Sequence, residues 1–254
     1  MPIIFGVINM SPESFYVKSI CRSVEEAIER AEKMIEDGAD YIDVGGMSTA
    51  PYKNTWISEE LELKRVIPVI KELSKRGFKV SIDTTRAKVA EEAILAGCEY
   101  VNAVKPSEEI ADVVKNYRVG VIVVAREVEW KEDRNSIINS CINSLKKDLK
   151  LFKGCKTIVD PAIGFWRTYG KWWIRDFTIL ANLDEIRNKT GKKVLIGVSR
   201  KSFIGAITNT KPEERLAGSV VAEVLSSPDY VRTHCVKETL QAFKVAEYIK
   251  KYRG

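Results

Sequence analysis

The feature that most constrains this chain is an alternation that runs through it from end to end: short β-branched runs, each followed by a longer amphipathic stretch. Ile3–Ile8 has strand composition. Ser23–Asp37 follows it with apolar residues at Val24, Ala27, Ile28, Ala31, Met34 and Ile35, the spacing of one helix face. Ser23 with Glu26 three residues on forms a capping box, and Gly38 closes the helix. The unit recurs as strand Tyr41–Val44 with helix Ser58–Lys75, Val80–Ile82 with Ala87–Leu95, and Glu99–Val101 with Ser107–Lys115. It continues as Val119–Val124 with Asp133–Phe152, Thr157–Val159 with Asp176–Lys189, Val194–Gly197 with Glu213–Ser226, and Tyr230–Val231 with Val236–Lys250. Strands that alternate with helices imply a parallel sheet. Val119–Val124 is apolar throughout, as in a strand buried on both faces. Eight units in 254 residues, with no linker or low-complexity segment, predict a single-domain (β/α)₈ TIM barrel over 1–254. A doubly wound open sheet is the alternative topology.

Composition narrows the partners. The net charge of +6 suits an anionic small substrate. There is no dense Lys/Arg tract with interleaved aromatics, so no nucleic acid is expected, and Lys244–Arg253 reads as a solvated helix face. Five cysteines without C-x-x-C spacing argue against a disulfide framework or zinc site. With no signal peptide before the first strand and no bilayer-length apolar run, a cytoplasmic protein without a membrane partner is expected. Enrichment in Lys, Ile and Glu is in keeping with a heat-adapted archaeal source.

In a barrel the active site lies at the C-terminal ends of the strands. Here those ends carry Asn9, Asp43–Thr49, Asp83, Asn102, Asp160, Ser199-Arg200-Lys201 and Arg232-Thr233-His234. Each has an ordinary reading. Asp83 could cap the next helix, Asn102 could bond its own loop, Asp160-Pro161 is a common turn opener, and Gly45-Gly46 permits a tight turn. Barrel geometry would aim them all at one mouth. The loops after strands seven and eight bring Arg200, Lys201, Arg232 and the lone histidine, His234, donors matched to an anion; Ser202 can add a hydroxyl near a helix N-terminus. Asp83, Asn102 and Asp160 suit a flat heterocycle with several N–H donors. A Mg²⁺ site is the rival reading of that cluster. No nucleophile–base pair of the hydrolase type is present.

These segments together resemble dihydropteroate synthase. Gly6-Val-Ile-Asn9-Met-Ser-Pro-Glu-Ser-Phe15 is similar to the family's first-strand signature, and Gly38-Ala-Asp-Tyr-Ile-Asp43-Val-Gly-Gly-Met-Ser-Thr49 to its second. Ser81-Ile-Asp83-Thr, Val101-Asn102, Asp160-Pro-Ala-Ile-Gly-Phe165, Gly197-Val-Ser-Arg-Lys-Ser202 and Arg232-Thr-His234 follow in order, over nearly the whole chain. The resemblance implies a pterin-binding barrel that joins 6-hydroxymethyl-7,8-dihydropterin diphosphate to an arylamine in folate or methanopterin-type biosynthesis. It would place Asp83, Asn102, Asp160 and Lys201 on the pterin. Asn9, Ser202, Arg232 and His234 would take the diphosphate, with Asn9 at Mg²⁺. Thr49, Phe165 and Ser199 would lie on the arylamine path, and Lys201, Arg232 and His234 would carry catalysis. A homodimer through late helices is also implied.

The sequence departs from the family's pattern at the second-substrate side. Met47 and Thr49-Ala50 replace the usual Glu and Thr-Arg, and Glu13 stands where Asp is usual. Ala162 replaces Gly, Trp166-Arg167 replaces Gly-Lys, and Cys235 follows His234 in place of Asp. A p-aminobenzoate-using synthase fits. So does one using a larger ribosyl-aniline phosphate, for which Trp166, Arg167 and Lys171-Trp172-Trp173 could serve. A methyltransferase domain presenting methyl-pterin to a corrinoid protein would need no diphosphate clamp, so Arg200, Lys201, Arg232 and His234 argue against it. A pterin-binding homologue without synthase activity is the remaining alternative.

Overall fold

A computed structural model describes residues 1–13, 16–48, 56–126, 133–165 and 170–252. Thr49, Ala50, Trp166 and Arg167 lie outside the described residues. The chain forms a closed barrel of eight parallel strands in sequential order, the last pairing with the first. The strands are β1 (Ile3–Asn9), β2 (Tyr41–Gly45), β3 (Val80–Thr84), β4 (Tyr100–Ala103), β5 (Gly120–Val124), β6 (Thr157–Asp160), β7 (Lys193–Ile196) and β8 (Tyr230–Thr233). The helices are α1 (Val24–Glu36), α2 (Glu59–Lys75), α3 (Ala87–Leu95), α4 (Glu108–Tyr117), α5 (Arg134–Leu149), α6 (Trp173–Leu180), α7 (Leu183–Thr190), α8 (Ser202–Thr208), α9 (Leu216–Ser226) and α10 (Val236–Lys251). The closed barrel thus stands in place of an open sheet. Among the described residues, no helix is long and apolar enough to cross a membrane, and all five cysteines are free.

Two departures from the periodicity have local causes. The stretch predicted as one helix over Asp176–Lys189 is two, α6 and α7. At the break Asn182 leaves helical geometry and its amide bonds back to the Thr178 carbonyl at 2.7 Å, the kind of local bond that competes with a helix. Helix α8 is seven residues long, ending at a left-handed Asn209; two turns are too few for a periodicity to show.

Alternation along the strands creates the site. Phe5, Tyr41, Tyr100, Ile122, Ile158, Leu195 and Tyr230 point inward and fill the barrel's lower half. Phe5 stacks on Tyr41 at 4.7 Å between ring centroids, and Tyr100 and Tyr230 meet its edge. Two residues further along a strand the side chain returns to the same face, one layer nearer the C-terminal end. That step takes Tyr41 to Asp43, Tyr100 to Asn102, Ile158 to Asp160, Leu195 to Gly197 and Tyr230 to Arg232. The registers set Asn9 beside Gly45, Gly45 beside Asp83, and Asp83 beside Asn102. Residues of the opposite parity, among them Ile4, Ile8, Ile42, Val44, Ile82 and Val101, pack outward against the helices. An aromatic floor therefore carries a polar layer directly above it.

Candidate active site

Asn102 has no exposed surface, and neither its amide oxygen nor its amide nitrogen has a hydrogen-bond partner among the described residues. Asp83, opposite it in register, leaves Oδ1 buried and unpartnered in the same way. Neither does the ordinary job its position allowed. Asp83 does not cap the next helix: Arg86 stands at its N-cap with no side-chain capping bond, and the Arg86 amide itself goes to Thr84 Oγ1 at 3.2 Å. Unpaired buried polar groups cost of the order of 1–3 kcal/mol each, so an edge of this kind is what a hydrogen-bonding ligand would complete. Asp160 keeps its turn-opening role on one oxygen, Oδ1 accepting from the Ala162 amide at 2.8 Å. Its other oxygen receives Arg232 Nη2 at 2.7 Å.

Arg232 ties the floor of this layer together. Besides Asp160 it faces Asp43 Oδ2 at 3.5 Å, and Asp43 in turn accepts from the buried Ser81 hydroxyl. Gly197 makes room for it: a Cβ there would lie 3.2 Å from Arg232 Nε. Asp43 stood in the strand-end segment Asp43–Thr49 but was given no role among the predicted site residues, because nothing in its own segment reveals the Ser81 and Arg232 that it meets. The signal that finds it is the repeated two-residue step from floor to polar layer. Burial works against the guanidinium charge, yet Asp160, Asp43 and Asp83 hold its pKa above the ordinary value. Burial, then repulsion from Asp43, pushes the Asp83 carboxyl up to about 7 against the pull of Arg232.

Lys201 enters from the β7 side. Its ammonium donates to the Ile163 carbonyl and stands 4.4 Å from the centre of the Phe165 ring. Burial pulls its pKa down to about 8, opposed chiefly by Asp160 and accentuated by Arg232. Arg200 beside it holds a left-handed φ of 59°. That reversal sends neighbouring side chains apart. Ser199 bonds His234 and Lys201 reaches Phe165, whereas Arg200 goes to the carbonyls of Pro212 and Glu213 at 3.1 and 2.6 Å and to Cys235 Sγ at 3.2 Å. Arg200, read from the sequence as an anion-binding cation, thus has its terminal nitrogens engaged with protein atoms. Ser202 begins α8 with a buried Oγ that has no partner among the described residues.

His234 is positioned by three strands' loops. Its Nδ1 lies 3.1 Å from Ser199 Oγ, which also accepts from the His234 amide at 3.3 Å. Tyr16 meets the imidazole edge-on at 5.2 Å, and the Tyr16 carbonyl accepts from Ser19 Oγ, which accepts from Asn9 Nδ2 at 2.8 Å. Burial, reinforced by Arg200, Lys201, Arg232 and Arg30, drives the imidazole pKa down to about 3. It is a neutral ring, a hydrogen-bonding group rather than a cation. Asn9 spends its amide nitrogen on Ser19, and its Oδ1 faces the space above Gly45, where a Cβ would lie 3.7 Å from it. Among the described residues no three His, Cys, Asp or Glu side chains group to hold a metal. The donor set fits a Mg²⁺ given one oxygen by Asn9 and the rest by a ligand's oxygens and water.

The sequence matches the family described as "Pterin binding enzyme" over residues 5–234. The chain belongs to that family, among the dihydropteroate synthases. It is 37% identical over 259 residues to the dihydropteroate synthase of Clostridium beijerinckii, covering 97% of this chain and 93% of that one. The dihydropteroate synthase of Coxiella burnetii, solved with pteroic acid, superimposes with a TM-score of 0.87 at 34% identity, covering 98% and 93%. The Xanthomonas albilineans dihydropteroate synthase, solved with 4-aminobenzoic acid, gives 0.83 at 29% identity, covering 99% and 94%. As a member of this family the chain is a transferase of the pterinylmethyl group, and the corrinoid-partner alternative is not favoured.

Proposed function

We propose that this dihydropteroate synthase condenses 6-hydroxymethyl-7,8-dihydropterin diphosphate with p-aminobenzoate, and that the polar layer of the barrel is its pterin site. The observation that carries this is the buried, unpartnered edge of Asp83 and Asn102, flanked by Asp160 and Lys201. A carboxylate accepts two parallel N–H bonds from an amidine-like edge, an amide both gives and accepts, and an ammonium donates to a carbonyl. Asp83, Asn102 and Asp160 hold the pterin's N–H face and Lys201 its carbonyl side. Arg232 stiffens Asp160 from below and contributes positive charge toward the diphosphate. Neutral His234 and Ser202 donate hydrogen bonds there, and Asn9 lends one oxygen to Mg²⁺. When bound, the metal would supply charge stabilisation for the leaving diphosphate.

The reaction needs little proton transfer from the protein. Diphosphate leaves from the methylene carbon and the amine attacks that carbon, so the chain's contribution is positioning and electrostatics. The Phe165 ring under Lys201 marks the arylamine side; Thr49 is proposed there from the sequence alone. Ser199, bonded to His234, orients that ring. The setting is the reducing cytoplasm, and two copies pair through the outer faces of α9 and α10.

Calorimetry with the dihydropterin diphosphate should show tight binding that depends on Mg²⁺. Binding indifferent to the diphosphate would sink the synthase reading. Turnover with p-aminobenzoate should exceed that with a ribosyl-aniline phosphate, and the reverse order would assign the larger amine. Lys201→Ala should lower turnover by roughly 100-fold or more, the scale of a lost charged contact. Lys64→Ala, exposed on α2, should leave turnover unchanged.

A further inference from the structure

We propose that the buried pair Arg175–Asp176 at the start of α6 is a positioning device for Lys201, acting through the turn Ile163–Gly164–Phe165. The proposal rests on the pterin-site role given to Lys201 above.

The pair is deeply buried, with Arg175 1% and Asp176 0% exposed. Burying two charges costs at least as much as their attraction returns, and apolar residues of the same size would hold such a place equally well. Its geometry points to a different use. Asp176 divides its oxygens: Oδ1 accepts from Arg175 Nε and Nη2 at 3.4 and 3.2 Å, while Oδ2 accepts from the Gly164 amide at 3.1 Å. Arg175 fixes the carboxylate, and the carboxylate fixes the turn.

The turn requires fixing. Ala162 and Gly164 both hold left-handed φ values, 59° and 74°, and for alanine that conformation is costly. It is pinned from one side by Asp160 Oδ1 on the Ala162 amide at 2.8 Å, and from the other by Asp176 on Gly164. Three successive residues of this turn touch Lys201. The Ile163 carbonyl receives its ammonium, the Phe165 ring lies beneath it, and Gly164 packs on its stem so closely that a Cβ would fall 2.7 Å from Lys201 Cδ. The charges facing Lys201 are Asp160, Asp176 and Asp83, which favour its protonated form, and Arg232, which disfavours it; His234 lies within the same field. Asp176 therefore acts on Lys201 twice, by holding the turn and by its own charge.

Two double variants separate these actions. Arg175→Met with Asp176→Asn removes both charges and keeps an oxygen for the Gly164 amide. Arg175→Met with Asp176→Ala removes the oxygen as well. The substituted enzymes are assayed with Mg²⁺, the pterin diphosphate and p-aminobenzoate, with circular dichroism and Tm as checks on folding. The Asn form should keep kcat within about threefold of wild type, and the Ala form should lose tenfold or more, the scale of a misplaced contact group. In both, the basic limb of kcat/KM, which reports the free enzyme's groups, should move to lower pH by several tenths of a unit, because a carboxylate near Lys201 is gone. An Ala form with wild-type kcat and limb overturns the proposal. So does equal loss in both forms with an unmoved limb, which a purely structural pair would give. If the double variants do not fold, Asp176→Asn alone keeps an oxygen for both Arg175 and the Gly164 amide while removing the carboxylate beside Lys201; an unmoved limb there overturns it too. A wild-type chain with no turnover sinks the function beneath the proposal and the proposal with it, whereas an active wild type confines any failure to the positioning role.

Discussion

Asp83 is where binding and stability pull apart. Burial and Asp43 raise its carboxyl from 3.8 to about 7. The folded value lies above the unfolded one, so the stability gained from the neutral form is full below about pH 4 and is lost as pH rises through about 7. The ligand-free enzyme should weaken over that window by roughly a few kcal/mol. Asp83→Asn, neutral throughout, should remove the loss and raise Tm at pH 8 by several degrees in scanning calorimetry, at about 2–4 °C per kcal/mol for a chain of this size. Pterin binding should respond in the opposite sense. Two N–H donors bind the ionised carboxylate, so affinity should be flat above pH 7 and fall toward tenfold per unit below it. Asp83→Asn should weaken it by about 1.5–3 kcal/mol, the value of bonds to a charged group. Titrations between pH 5.5 and 8 test this, and a pH-independent affinity would refute the assignment. At this scale the sequence exposed Asp83, Asn102 and Asp160 because each stood at or near a strand end followed by an ordinary turn. Asp43, listed at a strand end, and Asp176, the first residue of a predicted helix, were given no role: Asp43 meets Ser81 and Arg232, far away in sequence, and Asp176 meets Arg175 and the Gly164 amide in a turn that no periodicity marks.

The elements were legible where periodicity is long. Of the caps the sequence named Ser23, which does accept from the Glu26 amide, while the Glu26 carboxylate takes the Arg22 amide and leaves the box open; Ser58 and Ser107, not read as caps, cap α2 and α4. Failures fell on short or interrupted pieces, the α6–α7 break and α8. One element end is left incomplete by composition. Helix α10 has Cys235 at its N-cap, whose side chain makes no capping bond and lies 3.2 Å from Arg200 Nη2. The residue usual at this position in the family is Asp. Cys235→Asp would provide both the cap and a counter-charge for Arg200 at a helix N-terminus. It should stabilise the protein by about 1–2 kcal/mol, read as a rise in Tm. The added carboxylate should also lift the imidazole of His234 from about 3 toward its ordinary value. His234 is the single histidine of the chain, so one NMR titration reports it without overlap. A lower Tm with an unmoved imidazole would show that the thiol's packing outweighs the missing cap.

For the whole molecule, eight repeats of one unit foretold the closed barrel, because parallel strands joined by helices at this length have few other ways to close. They could not say which helix faces meet solvent. The spacing that packs a helix on a barrel is also the spacing that packs it on a partner. Exposure separates the two. On α9, Val221 and Leu225 are 55% and 79% exposed, and on α10 and its C-cap, Val245, Tyr248, Ile249 and Tyr252 are 54%, 63%, 52% and 84% exposed. Each set repeats at three or four residues along its helix, and the two helices pack on one another. Single exposed apolar residues need no explanation, but six on adjoining helices make a patch that monomers rarely leave open. A two-fold dimer would present the same patch from both copies and keep both mouths clear. Equilibrium sedimentation should therefore give twice 28.7 kDa. Leu225→Glu with Tyr248→Glu should yield a folded monomer, since charges at solvent-exposed sites cost a lone chain within about 0.5 kcal/mol each. Its Tm should fall because the partner's mass-action contribution is lost, while kcat per site should hold, since neither residue belongs to the polar layer. A wild-type chain that sediments as a monomer at tens of micromolar, or a variant that still pairs, would remove this face as the dimer contact.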